Sequence, residues 1–389
     1  MLFSCEGARA KRWFLMRIHA ACLRHFETMI TLQTLLCLCA TLLFAAVAAR
    51  AEEVKAQVAP KEAYPQGAPE EPFLKVLSLT KAAESLDRTA VAWVEKQKCG
   101  SCHTGWPYVY SRAVLMKEAP TEALAQVRTF FEGRITGWDE EQKVKNHSPR
   151  EAVGTMTALA IHDAQTTGRL HPVTREALDR LWKLQRKDGA WSWPKCEWPP
   201  FEVDDYYGAV HAAVGVGHAP ENYAQSDAAK AGVEKLRAYL KATPAPNLHH
   251  RAWLLWAAVR LEGLLSAEEK QRTIQDLLAL QRSDGGWSME SLGKEWEGHR
   301  GETANPDAPS DGYGTGLIIF VLRENGVPAS HEALKRGVQW LSTHQRESGR
   351  WFTRSLNGVK QHFISDTATS FAVMALKACE KKDEPSAVN

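Results

Sequence analysis

The chain has 389 residues, of which 44% are hydrophobic and 24% are charged, and its formal net charge is +2. These values are typical of a folded globular protein with one large or two ordinary domains, and they exclude a disordered chain. The balanced charge, without a basic cluster, argues against a nucleic-acid-binding protein.

The first predicted element is an uncharged apolar run at residues 32–49. It ends in a small-x-small sequence that is followed by two glutamates, which is typical of a cleaved secretory signal at residues 1–51. The run also has about the minimum length of a membrane span, so an N-terminal anchor is the alternative. The sequence therefore predicts an exported, periplasmic or extracytoplasmic protein, either free or associated with the membrane through this run.

The next segment, residues 52–76, is rich in proline, alanine and charge and has no apolar period, which predicts a flexible linker. We expect the folded domain at residues 77–381, followed by a polar tail at residues 382–389. Four cysteines lie beyond the predicted signal: Cys99, Cys102, Cys196 and Cys379. An exported compartment permits both disulfide bonds and haem attachment to such residues.

The folded domain repeats itself. In three places an amphipathic helix ends in glutamine and a tryptophan follows six residues later: Gln185 and Trp191, Gln281 and Trp287, Gln345 and Trp351. A loop then leads to a second helix that is rich in small and apolar residues. Three further helix pairs fit the same order, which gives six polar outer helices and six apolar inner helices. The sequence therefore predicts an all-α fold, a closed (α/α)6 toroid.

The Gln-x-x-Asp-Gly-x-Trp pattern resembles the repeat of the squalene-hopene cyclase and protein prenyltransferase superfamily. The resemblance covers about residues 80–380 and implies the same toroid. In that superfamily the glutamine and the tryptophan tie each outer helix to the next turn. The motif is therefore structural, and it does not identify a reaction.

In the first repeat the corresponding glutamine and tryptophan, Gln97 and Trp106, are nine residues apart, and the CxxCH loop (residues 98–104) lies between them. Two thiols at the spacing of Cys99 and Cys102 add to the two vinyl groups of a haem, and His103 is placed to ligate the iron. We therefore expect a covalent c-type haem on these three residues.

Other chemistries remain open for the same loop. Zinc bound by the three motif residues together with Cys196 is one alternative, because sulfur and nitrogen ligands suit zinc. A disulfide between Cys99 and Cys102 is another. If haem is bound, a second iron ligand is expected from the loop of a neighbouring repeat, and the candidates are His147 and His362.

A second candidate site is acidic. Glu202, Asp204 and Asp205 stand at the start of an inner helix and resemble the Asp-x-Asp-Asp motif with which squalene-hopene cyclases protonate an alkene. A neighbouring carboxylate can keep one such acid protonated. Asp311 and Asp366 occupy the place of Asp205 in other repeats, where aspartate is an ordinary helix N-cap.

These patterns leave three function classes. The first is an exported toroid with a covalent haem, acting in redox or in haem-dependent binding or oxidation of an apolar, isoprenoid-like molecule, with that molecule or a redox protein as its partner. The second is a terpene cyclase-like isomerase that uses Asp204 and Asp205. The third is a non-catalytic binding protein with a Cys99–Cys102 disulfide. We also expect the long polar loop at residues 289–310 to act as a lid.

Overall fold

A computed structural model describes residues 68–117, 119–138, 148–358 and 362–381 of the chain. All of them belong to one compact unit, residues 61–389. The predicted signal or anchor, most of the predicted linker, the tail and His147 lie outside the described residues. Within those ranges, no helix is both long and apolar enough to cross a membrane.

The described residues form twelve α-helices. In chain order they are α1 (Leu79–Gln97), α2 (Gly105–Arg112), α3 (Glu122–Thr136), α4 (Pro149–Thr166), α5 (Pro172–Lys183), α6 (Asp205–His218), α7 (Asp227–Ala242), α8 (Leu248–Ala257), α9 (Ala267–Ala279), α10 (Gly312–Glu324), α11 (Glu332–Thr343) and α12 (Ile364–Glu380). The odd-numbered helices are the outer ones, and the even-numbered helices are the inner ones.

Burial separates the two sets of helices. Every residue of α2 is buried, as is every residue of α10 from Gly312 to Leu322. The outer helix α9, by contrast, buries only Thr273 and Leu277. Each inner helix packs against the next one, and α12 packs against α2, which closes the ring. The predicted (α/α)6 toroid is therefore confirmed.

Three glutamine–tryptophan pairs join the repeats. Each glutamine donates from Nε2 to a backbone carbonyl at the start of, or within, the following outer helix, at 2.6 to 2.9 Å: Gln185 to Gly232, Gln281 to Ala333, and Gln345 to Ser78. Each tryptophan is fully buried, and its indole donates to a carbonyl near the end of its own outer helix. The bond from Gln345 to Ser78 ties the last repeat to the first.

The first repeat departs from this pattern. Gln97 is exposed, and Lys98 ends α1 in the left-handed region with a φ of 49°. Trp106 lies inside α2 instead of the preceding loop, and its indole nitrogen is buried without a partner among the described residues. Gln97 and Trp106 therefore do not form the contacts that the glutamine and the tryptophan form in the other repeats, because the CxxCH loop lies between them.

The folded part begins before the predicted boundary at residue 77. The backbone nitrogen of Leu74 donates to the Gln345 carbonyl at 2.7 Å. The carboxylate of Glu71 accepts hydrogen bonds from the backbone nitrogen and the hydroxyl of Ser348. The end of the predicted linker is therefore attached to the turn of the sixth repeat.

Aromatic side chains fill the centre of the ring. Their ring centroids lie 5.1 to 6.5 Å apart, and the set comprises Tyr110, Trp253, Trp256, Tyr313, Phe320 and Phe371. The loop at residues 289–310 covers this centre at the N-terminal ends of the inner helices. Its Trp296 is 6% exposed and packs edge-on against His249, with 5.2 Å between ring centroids. The predicted lid is thus a packed cover in this structure.

Candidate functional site

Four repeats meet at the CxxCH loop. The Gly100 nitrogen donates to Glu151 in the first turn of α4 at 3.2 Å. The Cys102 thiol donates to Glu202, which precedes α6, at 3.4 Å. Thr367 in the first turn of α12 donates to the His103 carbonyl at 2.6 Å. The loop is therefore held on several sides, by residues from the second, third and sixth repeats.

Both cysteines of the motif are free thiols in this structure. Cys102 is 8% exposed, and burial raises its pKa well above the usual range, with a further rise from the charge of Glu202. Burial also raises the pKa of the half-buried Cys99. Glu202 in turn forms an ion pair with Arg150. Both thiols are therefore protonated at neutral pH in this arrangement.

The ring of His103 has a defined proton position. Its Nδ1 lies 2.7 Å from the Thr104 hydroxyl and, at the longer distance of 3.2 Å, from the Ser101 hydroxyl; the Thr104 hydroxyl donates to Asp366 at 2.8 Å. Since the hydroxyl has a single proton, which goes to the carboxylate, it accepts from Nδ1–H. Burial, with a smaller effect of Arg150, lowers the pKa of His103 to about 3, so the ring is neutral. The proton therefore sits on Nδ1, and Nε2 carries the lone pair.

Two aromatic rings flank this imidazole. Phe363 stacks on His103 with ring centroids 5.0 Å apart and an angle of 13°, and Trp93 packs edge-on at 4.7 Å. These contacts fix the plane of the ring and reduce its contact with water. A histidine whose Nδ1–H is anchored and whose Nε2 is free has the arrangement found in metal-ligating histidines.

Buried polar atoms surround the loop. Among the described residues, no hydrogen-bond partner is present for Trp106 Nε1, Arg150 Nε or Glu151 Oε2. Arg134 pairs with Glu151 at 3.0 Å, so two arginines lie beside the two cysteines. Thiols, an imidazole lone pair and cationic side chains are the chemical types that bond the vinyl groups, the iron and the carboxylates of a haem.

The two residues predicted as second iron ligands are His147 and His362, and the structure describes only one of them. His147 lies outside the described residues. His362 is half-buried, and its Nδ1 accepts a hydrogen bond from the Ser355 nitrogen at 3.1 Å. Burial lowers the pKa of His362, so the neutral ring carries its proton on Nε2. In this conformation the Nδ1 lone pair of His362 is occupied by the hydrogen bond from Ser355, and its role as a second iron ligand stays a prediction.

Cys196 lies on the same face as the motif, as predicted. Its backbone nitrogen donates to the Glu202 carbonyl at 3.0 Å, and Glu202 also raises the pKa of its thiol, after the larger effect of burial. Within the described ranges, however, no group of three or more histidine, cysteine or acidic side chains is arranged to hold a metal ion.

Asp204 is the N-cap of α6, and its carboxylate accepts from the Tyr207 nitrogen at 2.8 Å. Its other oxygen lies 3.0 Å from Nε2 of the buried His250. His250 Nδ1 donates to the side-chain carbonyl of Asn247 at 2.6 Å, so a second proton is needed between Nε2 and Asp204. Burial raises the pKa of Asp204, but the hydrogen bond and charge of His250 outweigh it and lower the pKa. The two side chains thus share one labile proton.

Asp205 has a different environment. It forms an ion pair with Arg186 at 2.9 Å and accepts from the Trp193 nitrogen at 2.9 Å. These contacts lower its pKa against the opposing effect of burial. Asp204, and not Asp205, is the N-cap of α6, whereas Asp311 is itself the N-cap of α10 and Asp366 lies in the first turn of α12 without capping it. Asp205 and Asp311 are equivalent in a different contact, because both carboxylates accept from the backbone nitrogen two residues after the repeat tryptophan. Asp205 is an ionised structural group.

Sequence reasoning missed three residues near these sites. Thr104 and Asp366 orient His103, and the only sequence signal was a hydroxyl residue directly after the motif. The sequence predicts Asp311 only as a helix cap, but burial raises its pKa to about 6 in spite of hydrogen bonds from Gly314, Met289 and Thr353.

No protein-family model matches the chain. Among curated proteins, it is similar to a squalene–hopene cyclase of Bradyrhizobium diazoefficiens, with 28% identity over 130 residues, which covers 29% of this chain and 18% of that protein. The match thus spans less than a fifth of the relative's length. Among solved structures, the chain is similar to the type II terpene cyclase MstE from Scytonema in its apo form, with 13% identity and a TM-score of 0.44, over 77% of this chain and 98% of that chain. The sequence similarity supports the resemblance to the toroid superfamily.

Proposed function

We propose that the protein carries a covalent c-type haem, that Cys99 and Cys102 would hold its vinyl groups and His103 would ligate its iron, and that the protein acts in electron transfer or oxidation. The hydrogen bonds from His103 through Thr104 to Asp366 carry this proposal, because they leave Nε2 with the lone pair that iron needs. When bound, the haem supplies one-electron redox chemistry.

The residues around the loop have defined tasks in this proposal. Asp366 holds the hydroxyl proton of Thr104 and thereby keeps the His103 proton on Nδ1. Arg350 lies 3.6 Å from Asp366 and forms an ion pair with it. Phe363 covers one face of the imidazole and excludes water from it.

The first experiment is production in the periplasm together with haem-maturation machinery, followed by haem staining of a denaturing gel. A thioether-linked haem survives denaturation, so we expect the wild-type chain to stain and the Cys99→Ser, Cys102→Ser double variant not to stain. The matched control is the Cys196→Ser, Cys379→Ser double variant, which should stain like the wild type. A folded wild-type protein without covalent haem would refute the proposal.

The role of Thr104 is tested on the haem-loaded protein. Thr104→Val removes the acceptor of the Nδ1 proton but keeps the volume, whereas Thr104→Ser keeps the hydroxyl. In an acid titration of the absorption spectrum, we expect Thr104→Val to lose its axial histidine at a higher pH than the wild type, and Thr104→Ser to behave like the wild type. Equal titrations of all three proteins would remove the assigned role.

The comparison with squalene–hopene cyclase and the proton shared by Asp204 and His250 favour a second candidate function, acid-initiated isomerisation of an isoprenoid alkene. In it Asp204 donates the proton to the alkene, and His250 stabilises the resulting carboxylate. Incubation with squalene tests this function. Product that disappears in Asp204→Asn but persists in Asp205→Asn supports it, and a wild-type protein that forms no product from squalene counts against it.

A further inference from the structure

The lid (residues 289–310) is fastened to the ring on two sides. Near its start, Glu290 accepts two hydrogen bonds from Arg354 of the sixth repeat, at 3.0 and 2.8 Å, and the same guanidinium pairs with Glu302 at 2.8 Å. At its tip, the His299 nitrogen donates to the carbonyl of Glu197 in the third repeat at 2.7 Å. The lid therefore spans the ring between the third and the sixth repeats.

Trp296 is the aromatic side chain with which the lid contacts the ring beneath it. Its indole is 6% exposed, and its centroid lies 5.2 Å from that of His249, closer than any other aromatic ring around this histidine. Gly293 leaves room for the indole, because a Cβ at this position would lie 2.2 Å from it. The lid is therefore shaped around an indole that covers His249.

His249 is fully buried and has one unpaired nitrogen. Its Nε2 accepts from the Tyr313 hydroxyl at 2.7 Å and from the Trp253 indole at 3.2 Å. Burial lowers the pKa of His249 well below its usual value, so the ring is neutral and its single proton is on Nδ1. This N–H is buried and has no partner among the described residues. The indole of Trp296 cannot be its partner, because an indole only donates.

A cavity of about 420 Å³ opens beside these two rings. Its lining includes Leu248 and Glu295, the residues directly before His249 and Trp296 in the chain. The half-buried side chains of Leu248 and Leu280 form an apolar wall. The volume lies within the range of small-molecule sites, which is roughly 300 to 1000 Å³. The cavity therefore brings a small molecule next to the place that the indole occupies.

We propose that this cavity binds a planar bicyclic aromatic molecule with a ring carbonyl, which displaces Trp296 and accepts a hydrogen bond from Nδ1 of His249. The flat ring replaces the indole against the imidazole, and the carbonyl oxygen supplies the acceptor that the indole lacks. A hydrocarbon of the same shape leaves the buried donor unpaired, which is unfavourable. Asp276 and Glu295 in the cavity lining disfavour an anionic ligand. The proposal is independent of the haem and of the acidic pair.

The test compares 1-indanone with indane, two molecules of the size of indole that differ in one carbonyl oxygen, by isothermal titration calorimetry on the full chain. We expect 1-indanone to bind about 10-fold more tightly, because pairing a buried donor is worth roughly this factor. In Trp296→Ala both molecules should bind roughly 10-fold more tightly than in the wild type, because no indole has to be displaced. His249→Phe should remove the preference for 1-indanone. Tyr313→Phe is the matched control and should keep it, since Trp253 still donates to Nε2.

A second measurement on the wild type does not depend on the folding of a core variant. The indole N–H resonance of Trp296, identified as the signal that is missing in Trp296→Phe, should shift when 1-indanone is added to saturation. The resonance of the fully buried Trp287 should stay in place. Equal affinities for the two molecules in the wild type overturn the proposal, as does a preference that survives in His249→Phe or is lost in Tyr313→Phe. A Trp296 resonance that does not move, or binding that does not tighten in Trp296→Ala, also overturns it.

Discussion

Replacement of Gln345 by methionine tests how far ring closure depends on one side chain. Gln345 is fully buried, and its amide makes three hydrogen bonds to the backbone. It donates to the carbonyls of Ser78 and Gly349, both at 2.9 Å, and accepts from the Ser78 nitrogen at 2.7 Å. Methionine has a similar length but cannot make these bonds. The variant therefore leaves three backbone groups without their partner.

The expected magnitude follows from these bonds. A buried hydrogen bond contributes about 1 kcal/mol, so three lost bonds lower the free energy of unfolding by about 3 kcal/mol. The equivalent side chains Gln185 and Gln281 each make two bonds to the backbone, and Gln281 also accepts one from the side chain of Arg336, which is exposed and contributes little. The matched variants Gln185→Met and Gln281→Met should therefore lose about 2 kcal/mol. Against a typical domain stability of about 5 to 15 kcal/mol, all three losses are measurable.

The assay is urea unfolding with linear extrapolation, followed by both circular dichroism and tryptophan fluorescence. Coincident transitions from the two signals establish that the free energy is well defined. We expect the order wild type, then Gln185→Met and Gln281→Met, then Gln345→Met. Either of two results would refute the reasoning from ring closure. The first is a loss in the free energy of unfolding below about 1 kcal/mol for Gln345→Met. The second is a loss for Gln345→Met that is no larger than the loss for Gln281→Met.

Two further predictions concern stability. Burial lowers the pKa of His211 from 6.5 to about 3. Between these two pH values the unfolded chain binds a proton at His211 that the folded chain does not bind. The free energy of unfolding therefore falls as the pH drops from 6.5 to 3. His211→Phe should flatten this fall by about 1.4 kcal/mol per pH unit between pH 6 and pH 4 in urea titrations, and an unchanged slope contradicts the assignment. Gly154→Ala should lower the melting temperature through a loss of about 1 to 3 kcal/mol, because its new Cβ would meet the ring of Trp106 at 2.3 Å. Gly133→Ala, with open space around an exposed helical position, should stabilise the protein by about 0.5 to 1 kcal/mol, and equal effects of the two alanines would speak against this packing.

The repeat pattern was readable in the sequence because its physical cause recurs. Wherever a glutamine and a tryptophan stand six residues apart, as in Gln281 and Trp287, the same bonds to the backbone form. The first repeat was readable only in part. The three additional residues of its loop carry Gln97 to the surface and Trp106 into α2, and helix periodicity does not encode that outcome.

The site was predictable where it depends on local spacing. Cys99, Cys102 and His103 follow from the sequence of one loop, but the partner that orients His103 is Asp366, 262 residues away from Thr104. Only closure of the ring brings that carboxylate to the loop. The separate roles of the two aspartates in the acidic motif were not readable in the sequence. Two consecutive aspartates both suit a helix start, and only the backbone geometry decides that Asp204 is the cap.

Helix α12 covers one side of the CxxCH loop, and it is the last helix of the ring to be made. Phe363, Asp366 and Thr367, which cover and hold His103, belong to the last repeat. While only the first five repeats exist, His103 lacks these contacts and its imidazole is uncovered on that side. The orientation of His103 is therefore fixed only when α12 docks, which is the step that closes the ring.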